Sequence, residues 1–508
     1  MERGITTKNQ RKSFMTKSRL IKNKRLHPLA VFKNTFSRGS LDSVRERKIF
    51  GRNPLKLGMK ASSILAIAMI VIMMVSVFAW LSTGTQSKPN IVQPVVNDPT
   101  TAPSSTTNPT QKPNTVQESR PWNPISIITS IVAPTPKPPG LIESNPNVNG
   151  PVWKAVAANA WNYYQPDTGV DRKTGLPKGT LTYPYFTDWD LGVYIQAVID
   201  ANRTGLIGND GAWGSTARLE KVMTFLETRE LANSTTKVPY WFYGSNGAGY
   251  LTQSSVDIID TGTLFVALNN LKTFDSKNFA LRIDNFVYNK NNRTDYAVLV
   301  PAIQSSGGST SIYAYYCVSG FACFFPELAT APDTILNSMR NAGTVTTYNV
   351  SLPKADISCE PLLYSFFNLN ANPKIVKLMN ETYSAHEAKY NATDQYVAFS
   401  EGNSQSDFVW EWVVMSNGYT WKITNGQTYS DINPIIYSKV SLSFLALYNT
   451  TFARNMTIYL ERILPDPTNG YSAGADYNAN SNNANAVQSV DSNTNGLILS
   501  AARYALHA

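Results

Sequence analysis

Two kinds of helical pattern alternate along residues 151–508, and this alternation limits the fold of the chain more than any other feature. The segment Leu191–Ala201 is apolar around most of its circumference, which is typical of a helix enclosed by other helices. The pattern that begins at Ser215 is apolar on one face only, as in a helix on the outside of a domain. Patterns of the enclosed kind recur at Thr261–Leu271, Glu360–Leu369, Ile435–Tyr448 and Gly496–Leu506.

These patterns predict about ten to twelve helices in nested pairs of an inner and an outer helix. Such pairs close into an (α/α)6 toroid, so we predict one all-α domain over residues 151–508. The sequence contains no repeat of the kind that would indicate an open solenoid. The stretch 292–347 is less helical, and we interpret its segments DYAVLVPAI and STSIYAYYCV as strands or as a loop excursion.

The first 60 residues are strongly basic, and the next 21 carry no charge. Residues 1–60 hold 17 Lys or Arg against three acidic residues. Residues 61–81 are apolar and long enough, as a helix, to cross a bilayer core of roughly 30 Å. A cleaved signal peptide and a buried core helix are the alternatives, but the long arm before this segment favours an uncleaved signal anchor.

The position of the basic arm predicts the topology of the chain. The positive-inside rule places residues 1–60 in the cytoplasm and the C-terminal domain outside the cell. Anionic lipid explains the charge of the arm more simply than nucleic acid, so we expect membrane contact and no nucleic acid partner. Residues 82–150 are rich in Pro, Thr, Ser and Asn, which predicts a disordered stalk.

Acidic residues recur where the enclosed helices are predicted to begin. The helix patterns in question start near Phe186, Ser254, Lys354 and Ser489. A helix start presents unpaired N–H groups and the positive end of the dipole, so acids on helices that share a direction would line one pocket. The alternative is ordinary capping, and Thr187 with Asp190 has the spacing of a capping box.

Histidine is too scarce for several kinds of catalytic site. Only His386 lies within the body of the domain, since His27 is in the basic arm and His507 is next to last. The domain therefore has too few histidines for a His-rich metal site and only one candidate for a Ser-His-Asp triad, and we expect no cofactor and no metal. Asp491 begins the first half of a calcium-loop pattern, but its twelfth position is Ala502, so we interpret it as a capped helix start.

The cysteines also lack a metal-binding pattern. The chain has Cys317, Cys323 and Cys359, whose spacing is not that of a zinc site. Outside the cell one disulfide is plausible, such as Cys317 to Cys323, and the pairing stays open.

Six segments follow one another in a specific order: TDWDLGVYIQAVIDANRTGLI, RLEKVMTFLETREL, VPYWFYG, VDIIDTGTLFVALNNL, NGYSAGADY and SNTNGLILSAARYAL. In this order they resemble the domain of unknown function 3131 family. That family is similar to the glucoamylase-like (α/α)6 glycoside hydrolases, which include enzymes acting on β-1,2-glucans. The resemblance spans nearly all of residues 151–508, and it implies the same toroid and a carbohydrate substrate.

The resemblance also implies two catalytic positions. In the glucanase relatives an Asp precedes a Ser-Gly or Thr-Gly pair at the start of an inner helix, and Asp260 occupies that position. A Glu that opens a later inner helix is a catalytic acid there, and Glu360 is its nearest match. The chain departs from the pattern after this Glu, where Pro361, Leu362 and Leu363 stand in place of an Arg.

The residue types themselves indicate the same chemistry. A glycosidase needs one carboxylic acid to protonate the leaving oxygen and one carboxylate to act as base or nucleophile. Glu360, followed by an apolar run, suits the buried acid, and Asp260 suits the carboxylate that backbone N–H groups keep ionised. We expect Asp188, Asp190 and Asp257 to bind sugar hydroxyls.

Aromatic residues in the predicted loops offer surfaces on which sugar rings can stack. We expect Trp189, Tyr240 and Trp241 to contact the substrate. The other candidates are Phe242, Tyr243, Trp410, Trp412 and Trp421. The alternative is burial, since most tryptophans pack into protein cores.

The leading hypothesis is a membrane-anchored extracellular glycoside hydrolase or transglycosylase that acts on cell-surface or environmental polysaccharide by carboxylate acid/base catalysis. One alternative is a noncatalytic glycan-binding or envelope-structural protein on the same fold. A polysaccharide lyase is a second alternative, for which Tyr240 and Tyr243 are candidate bases. The sugar, the linkage, the choice of hydrolysis or transglycosylation and the stereochemical outcome stay open.

Overall fold

The computed structural model describes residues 149–507 apart from 248, 252, 371, 405–406, 427 and 478–483. Within this part of the chain, no helix is both long and apolar enough to cross a membrane. The basic arm, the signal anchor at 61–81 and nearly all of the stalk lie outside the described residues, so these three interpretations stay predictions.

The described residues form thirteen α-helices. In chain order they are α1 Asn149–Trp161, α2 Asp188–Arg203, α3 Ser215–Thr228, α4 Ile258–Phe274, α5 Ser276–Val287, α6 Val300–Ser305, α7 Ile312–Ala322, α8 Ala331–Asn341, α9 Cys359–Asn368, α10 Pro373–Thr393, α11 Ser438–Tyr448, α12 Thr451–Glu461 and α13 Ser492–Leu506. Apart from the short α6, outer and inner helices alternate along the chain.

The six inner helices pack side by side in a closed ring. They follow one another in the order α2, α4, α7, α9, α11 and α13, and α13 packs against α2 to complete the ring. The outer helices α3, α5, α8, α10 and α12 each pack on the inner helix before them, and α1 packs on α13. The inner helices are buried on nearly all sides, as their apolar patterns require, so the predicted helical toroid is confirmed.

Two glycines allow the inner helices α4 and α7 to approach closely. A Cβ atom on Gly262 would lie 2.5 Å from the Cα atom of Cys317, and a Cβ atom on Gly320 would overlap the carbonyl oxygen of Gly262. These obstacles are backbone atoms, which cannot rotate away as a side chain can. The ring is therefore narrow at this crossing because both positions lack a side chain.

Short strands connect several helices. In chain order they are β1 Tyr185–Phe186, β2 Leu231–Asn233, β3 Val238–Pro239, β4 Tyr243–Gly244, β5 Thr344–Thr347, β6 Val350–Pro353, β7 Glu401–Asn403, β8 Phe408–Val414, β9 Thr420–Asn425, β10 Thr428–Tyr429, β11 Ile435–Tyr437 and β12 Gly474–Asp476. Among the described residues they pair antiparallel as β1–β4, β2–β3, β5–β6, β11–β12 and a four-stranded sheet β10–β9–β8–β7.

The strands lie close to the N-terminal ends of inner helices. β1 leads into α2, and β11 leads directly into α11. A bridge between Ile357 and Val414 joins the four-stranded sheet to the segment before α9. A second bridge, between Ala398 and Ile436, joins the segment before β7 to β11. The sheet therefore borders the end of the ring where α9 and α11 begin.

The structure corrects two fold predictions. The domain is not all-α, because short sheets connect its helices. The segments DYAVLVPAI and STSIYAYYCV are not strands: the first forms a 3-10 turn at Ala297–Leu299 and then α6, and the second forms the start of the inner helix α7. Their β-branched and aromatic residues resemble those of a strand, but enclosure within the ring overrides that local preference.

The predicted disulfide is also wrong. Cys317 lies on α7 and Cys323 ends that helix, and six residues of helix separate their Cα atoms by about 9 Å. The two thiols cannot meet at that separation, and all three cysteines, including Cys359, are free.

Candidate active site

Charged residues of five inner helices interact at the N-terminal end of the ring. These residues are Asp190 on α2, Asp260 on α4, Glu360 on α9, Lys439 on α11 and Asp491, which caps α13. Besides burial, the charges of Asp491 and Glu360 raise the pKa of Asp190, and the charge of Asp190 raises the pKa of Asp260. Lys439 lowers the pKa of Glu360 and of Asp491. Acids from helices far apart in sequence therefore lie close enough to affect one another.

Asp190 has both a capping role and a perturbed carboxyl group. The backbone N–H of Thr187 donates to Asp190 Oδ2 at 3.0 Å, and the backbone N–H of Trp189 donates to Thr187 Oγ1 at 3.1 Å. The predicted capping box is therefore confirmed. Burial raises the pKa of Asp190 to about 7 against the lowering effect of the Thr187 hydrogen bond. Near neutral pH this carboxyl group can donate or accept a proton.

Asp188 is placed differently from the prediction. Its Oδ1 atom accepts a hydrogen bond from Arg229 Nη1 at 2.6 Å, and both side chains are buried. Its Oδ2 atom accepts from Thr261 Oγ1 at 3.3 Å. A carboxylate enclosed by these partners is not available to sugar hydroxyls. Asp188 instead joins α2 to Arg229, the residue that ends α3, and to α4.

Asp257, rather than Asp260, has the backbone N–H contact that the sequence predicts for Asp260. Asp257 caps α4, and its Oδ1 atom accepts from the backbone N–H of Ile259 at 2.7 Å. Asp260 is not held by backbone N–H groups; its Oδ2 atom accepts from Trp241 Nε1 at 2.9 Å. Burial, followed by the nearby charge of Asp257, raises the pKa of Asp260 well above its usual range. The environment of Asp260 thus favours a protonated carboxyl group.

Glu360 forms a buried ion pair with Lys439. Lys439 Nζ donates to Glu360 Oε2, and the two side chains are 2% and 0% exposed. Burial raises the pKa of Glu360, and the charge of Lys439 acts against that increase. The second oxygen, Oε1, has no hydrogen-bond partner among the described residues.

Further buried polar atoms around Glu360 lack partners within the described part of the chain. They are Trp189 Nε1, Tyr313 OH and Ser358 Oγ. Burial raises the pKa of Tyr313, and the charges of Glu401 and Glu360 add to that increase. The indole N–H of Trp189 lowers the pKa of Glu360 against the effect of burial, so Tyr313 and Trp189 both lie close to this carboxyl group. Buried donors and acceptors are normally paired, and together these atoms can bind a polyhydroxylated ligand.

The predicted sugar-stacking residues have different environments. The Trp189 ring is buried, with ring centroids of Tyr313, Tyr316 and Tyr364 at 6.3, 6.2 and 6.0 Å. A ring enclosed in this way cannot be a stacking surface, so only its N–H edge is directed toward the acids. Trp241 is half-buried and bonded to Asp260.

Tyr240 and Tyr243 are poorly suited to act as bases. Tyr240 stacks on Tyr250 with ring centroids 3.6 Å apart, and this neighbour raises its pKa to about 12. Tyr243 OH donates to the carbonyl oxygen of Glu230 at 2.6 Å, and burial raises its pKa to about 12. Neither environment favours the phenolate that a lyase requires.

The other tryptophan candidates belong to strands rather than loops. Trp412 is buried in β8 and donates through Nε1 to Thr424 Oγ1 at 3.0 Å. Trp421, in β9, packs its ring against His386 and Phe399. Both are therefore structural, because their indole groups already have partners.

The buried histidine is a structural residue as well. His386 Nδ1 donates to the carbonyl oxygen of Thr382 at 2.8 Å, and Nε2 accepts from the backbone N–H of Phe399 at 3.2 Å. Burial lowers its pKa to about 4 and raises the pKa of the neighbouring Cys359 thiol. Both shifts favour the neutral side chains near pH 7 and disfavour a thiolate–imidazolium pair.

The capped start of α13 is confirmed, because Asp491 Oδ1 accepts from the backbone N–H of Thr494 at 2.7 Å. No group of His, Cys, Asp and Glu side chains in the described ranges is arranged to hold a metal ion.

Lys439 was not predicted from the sequence, and neither was Glu401, which interacts with Glu360 and Lys439. Lys439 lies in the first turn of an apolar inner helix, where a cation is unfavourable because of the helix dipole. A lysine at that position indicates a nearby acidic partner, so the sequence did contain a sign of it. Glu401 begins β7, and burial together with the charge of Glu360 raises its pKa to about 8. Nothing in its local sequence marks it, because the contact with Glu360 exists only in the folded chain.

Comparison with solved structures shows what this fold is similar to. The endo-β-1,2-glucanase from Chitinophaga pinensis aligns with a TM-score of 0.51 at 12% identity, over 71% of this chain and 94% of that one. The endo-β-1,2-glucanase from Talaromyces funiculosus gives a TM-score of 0.48 at 10% identity, over 75% and 85% of the two chains. No curated protein matches the chain.

The inner helices form a closed ring, and the chain shares this helical toroid fold with the Chitinophaga pinensis structure. A family profile, described as a protein of unknown function (DUF3131), matches residues 155–508. The chain belongs to this family, as its segment order predicted.

Proposed function

We propose that the protein is a glycoside hydrolase or transglycosylase that acts on polysaccharide by carboxylate acid/base catalysis. The observation that carries this proposal is a network of four interacting carboxyl groups, Asp190, Asp260, Glu360 and Asp491, in which the cation Lys439 acts on Glu360 and Asp491. One cation cannot neutralise four nearby carboxylates, so part of the cluster is protonated near pH 7. Coexisting protonated and ionised carboxyl groups are what glycosidic bond cleavage requires.

Asp260 and Glu360 are the proposed catalytic pair, with roles opposite to those first expected. Burial raises the pKa of Asp260, and no cation among the described residues contacts its carboxyl group, which suits the proton donor. Lys439 stabilises the ionised form of Glu360, which suits the base or nucleophile. The Oε1 atom of Glu360, which is not bonded to Lys439, is the proposed reactive atom. Asp190, with a pKa of about 7, is the alternative proton donor.

In the proposed reaction the protonated carboxyl group gives its proton to the leaving glycosidic oxygen. The ionised carboxylate then activates a water molecule, or attacks the sugar directly, on the opposite face. Trp241 holds Asp260 through the indole N–H and presents a half-buried ring beside it, so it is the proposed sugar contact at the donor. Tyr240 lies next to it in the chain and extends this contact.

β-1,2-Glucan is the first substrate to test, since the similar structures from Chitinophaga pinensis and Talaromyces funiculosus are of endo-β-1,2-glucanases. The composition of residues 1–150 supports an enzyme that is anchored by residues 61–81 and faces the cell exterior. Protease treatment of intact cells tests this location: the domain 151–508 should be degraded, and survival of the domain would contradict an exterior position.

The experiment measures reducing ends and oligosaccharides released by the purified full-length chain from β-1,2-glucan, other α- and β-glucans, mannans and envelope glycans. Asp260→Asn and Glu360→Gln should abolish release while the circular dichroism spectrum stays unchanged. Asp333→Asn is the matched control, since this acidic residue of α8 is 64% exposed and lies outside the cluster. Glycan binding without release by the wild type would favour a noncatalytic glycan-binding protein, and neither binding nor release would favour a structural role in the envelope.

A further inference from the structure

Strand β8 carries a row of aromatic residues that runs from the surface to the acidic cluster. Side chains alternate between the two faces of a strand, so Phe408, Trp410 and Trp412 share one face. Their exposure falls along the row: Phe408 is 39% exposed, Trp410 is half-buried and Trp412 is 4% exposed. The row therefore begins in solvent and ends in the protein core.

The inner part of this row contacts the candidate active site. Trp410 lies opposite Glu401 in the β7–β8 pair, and the indole of Trp410 lowers the pKa of that carboxyl group. Glu401 in turn interacts with Glu360 and Lys439. The exposed part, the Phe408–Trp410 pair, has ring centroids 5.0 Å apart at an interplanar angle of 67°. The pair is thus a partly exposed aromatic surface continuous with the acids.

A second aromatic group lies across the ring from this pair. Trp241 and Phe242, with ring centroids 4.9 Å apart, belong to the loop before α4, and Tyr183, 38% exposed, belongs to the loop before α2. The sheet that holds β8 borders the starts of α9 and α11. In a ring of six, α9 and α11 lie opposite α2 and α4. The acids therefore lie between two aromatic groups.

We propose that the Phe408–Trp410 pair is a glycan-binding subsite on the far side of the acids from Trp241, so that the substrate is a chain of several sugars that spans the end of the ring. This inference rests on the proposed function. A ligand that contacts both aromatic groups must pass over the acids that lie between them. Such a ligand is a chain of linked sugars rather than a single one. Aromatic faces bind the apolar faces of sugar rings without fixing every hydroxyl group, which suits a polymer.

The test compares long and short ligands. The probes are a disaccharide and a long chain of β-1,2-linked glucose. If the release assay identifies another polymer as the substrate, a disaccharide and a long chain of that polymer replace them. Binding to the full-length chain is measured by calorimetry. Trp410→Ala should raise the Kd of the long chain by roughly tenfold, as expected for loss of an aromatic stacking contact, and leave the Kd of the disaccharide within about twofold. Trp410→Phe should retain most of the affinity.

Tyr419→Ala is the matched control. Tyr419 is 53% exposed at the turn between β8 and β9, about 20 Å along the sheet from the start of β8. The control should bind like the wild type, and the melting temperature of each variant shows that it is folded. Equal behaviour of Trp410→Ala and Tyr419→Ala, in a wild type that binds and cleaves the long chain, would overturn the subsite alone. If the wild type bound no glycan of the panel, the proposed function and the subsite would fall together.

Discussion

Replacement of Lys439 with Met should destabilise the domain because it leaves a carboxylate enclosed without its cation. The Lys439 and Glu360 side chains are 2% and 0% exposed, so water cannot replace the lost charge. Removing one partner of such a pair costs about 3–5 kcal/mol in the free energy of unfolding. The pair formed by Lys374 and Asp333 is the matched comparison: these side chains are 41% and 64% exposed, and Lys374→Met should cost less than about 1 kcal/mol.

The loss of stability should depend on pH in a defined direction. Burial raises the pKa of Glu360, and without Lys439 the pKa rises further. A carboxyl group whose pKa is higher in the folded state binds its proton more tightly there, so stability is retained below the unfolded pKa of about 4.3. Stability is then lost as pH rises toward the folded pKa. The Lys439→Met deficit should therefore be small near pH 4 and large near pH 7.

Urea unfolding followed by tryptophan fluorescence at about pH 4 and about pH 7 measures both effects. The double variant Lys439→Met/Glu360→Gln should recover most of the stability at about pH 7, because the neutral amide needs no cation. A deficit equal at the two pH values, or a double variant as unstable as the single one, would refute the argument that an uncompensated charge is the cause.

Three further predictions follow from contacts described above. Asp188→Asn leaves Arg229 buried without a counter-ion and should lower the free energy of unfolding by about 3–5 kcal/mol in urea titrations; a loss below about 1 kcal/mol would show that the pair is dispensable. Gly262→Ala should cost at least about 1–3 kcal/mol by the same measurement, since its Cβ atom meets backbone, while Gly308→Ala, with open space around its Cβ position, should change little. The pKa of Asp190 is about 7 in the folded state and about 3.9 unfolded, so the melting temperature should fall as pH rises between these values. Asp190→Asn should flatten that fall, and an unchanged profile would contradict the raised pKa.

The ring of helices could be predicted from the sequence because the burial of each helix determines the pattern of apolar residues within that helix. Segments such as Leu191–Ala201 are apolar on all sides, and this requires enclosure whatever the rest of the chain does. The strand interpretation of STSIYAYYCV was wrong because β-branched and aromatic residues suit an enclosed helix as well as a buried strand. Local composition does not distinguish these two kinds of buried segment.

The candidate site was predictable in part. Acidic helix starts indicated a common pocket, and Asp190, Asp260 and Glu360 do interact through their charges. The partner of each acid was not predictable from the sequence. Asp188 pairs with Arg229, more than forty positions away, and Glu360 pairs with Lys439, more than seventy positions away. Ion pairs between distant segments leave no mark on the local sequence of either partner.

The closing contact of the ring has a consequence for biosynthesis. Ser500 Oγ on α13 donates to Asp200 Oδ2 on α2 at 2.7 Å, a contact across 300 residues of chain. During translation α2 leaves the ribosome long before α13 exists, so its flank must stay uncovered or find temporary cover until the final helix arrives. Contacts of such sequence separation also slow folding. The ring cannot close before α13 is made, so a chain truncated before α13 should leave the flank of α2 exposed and be prone to aggregation.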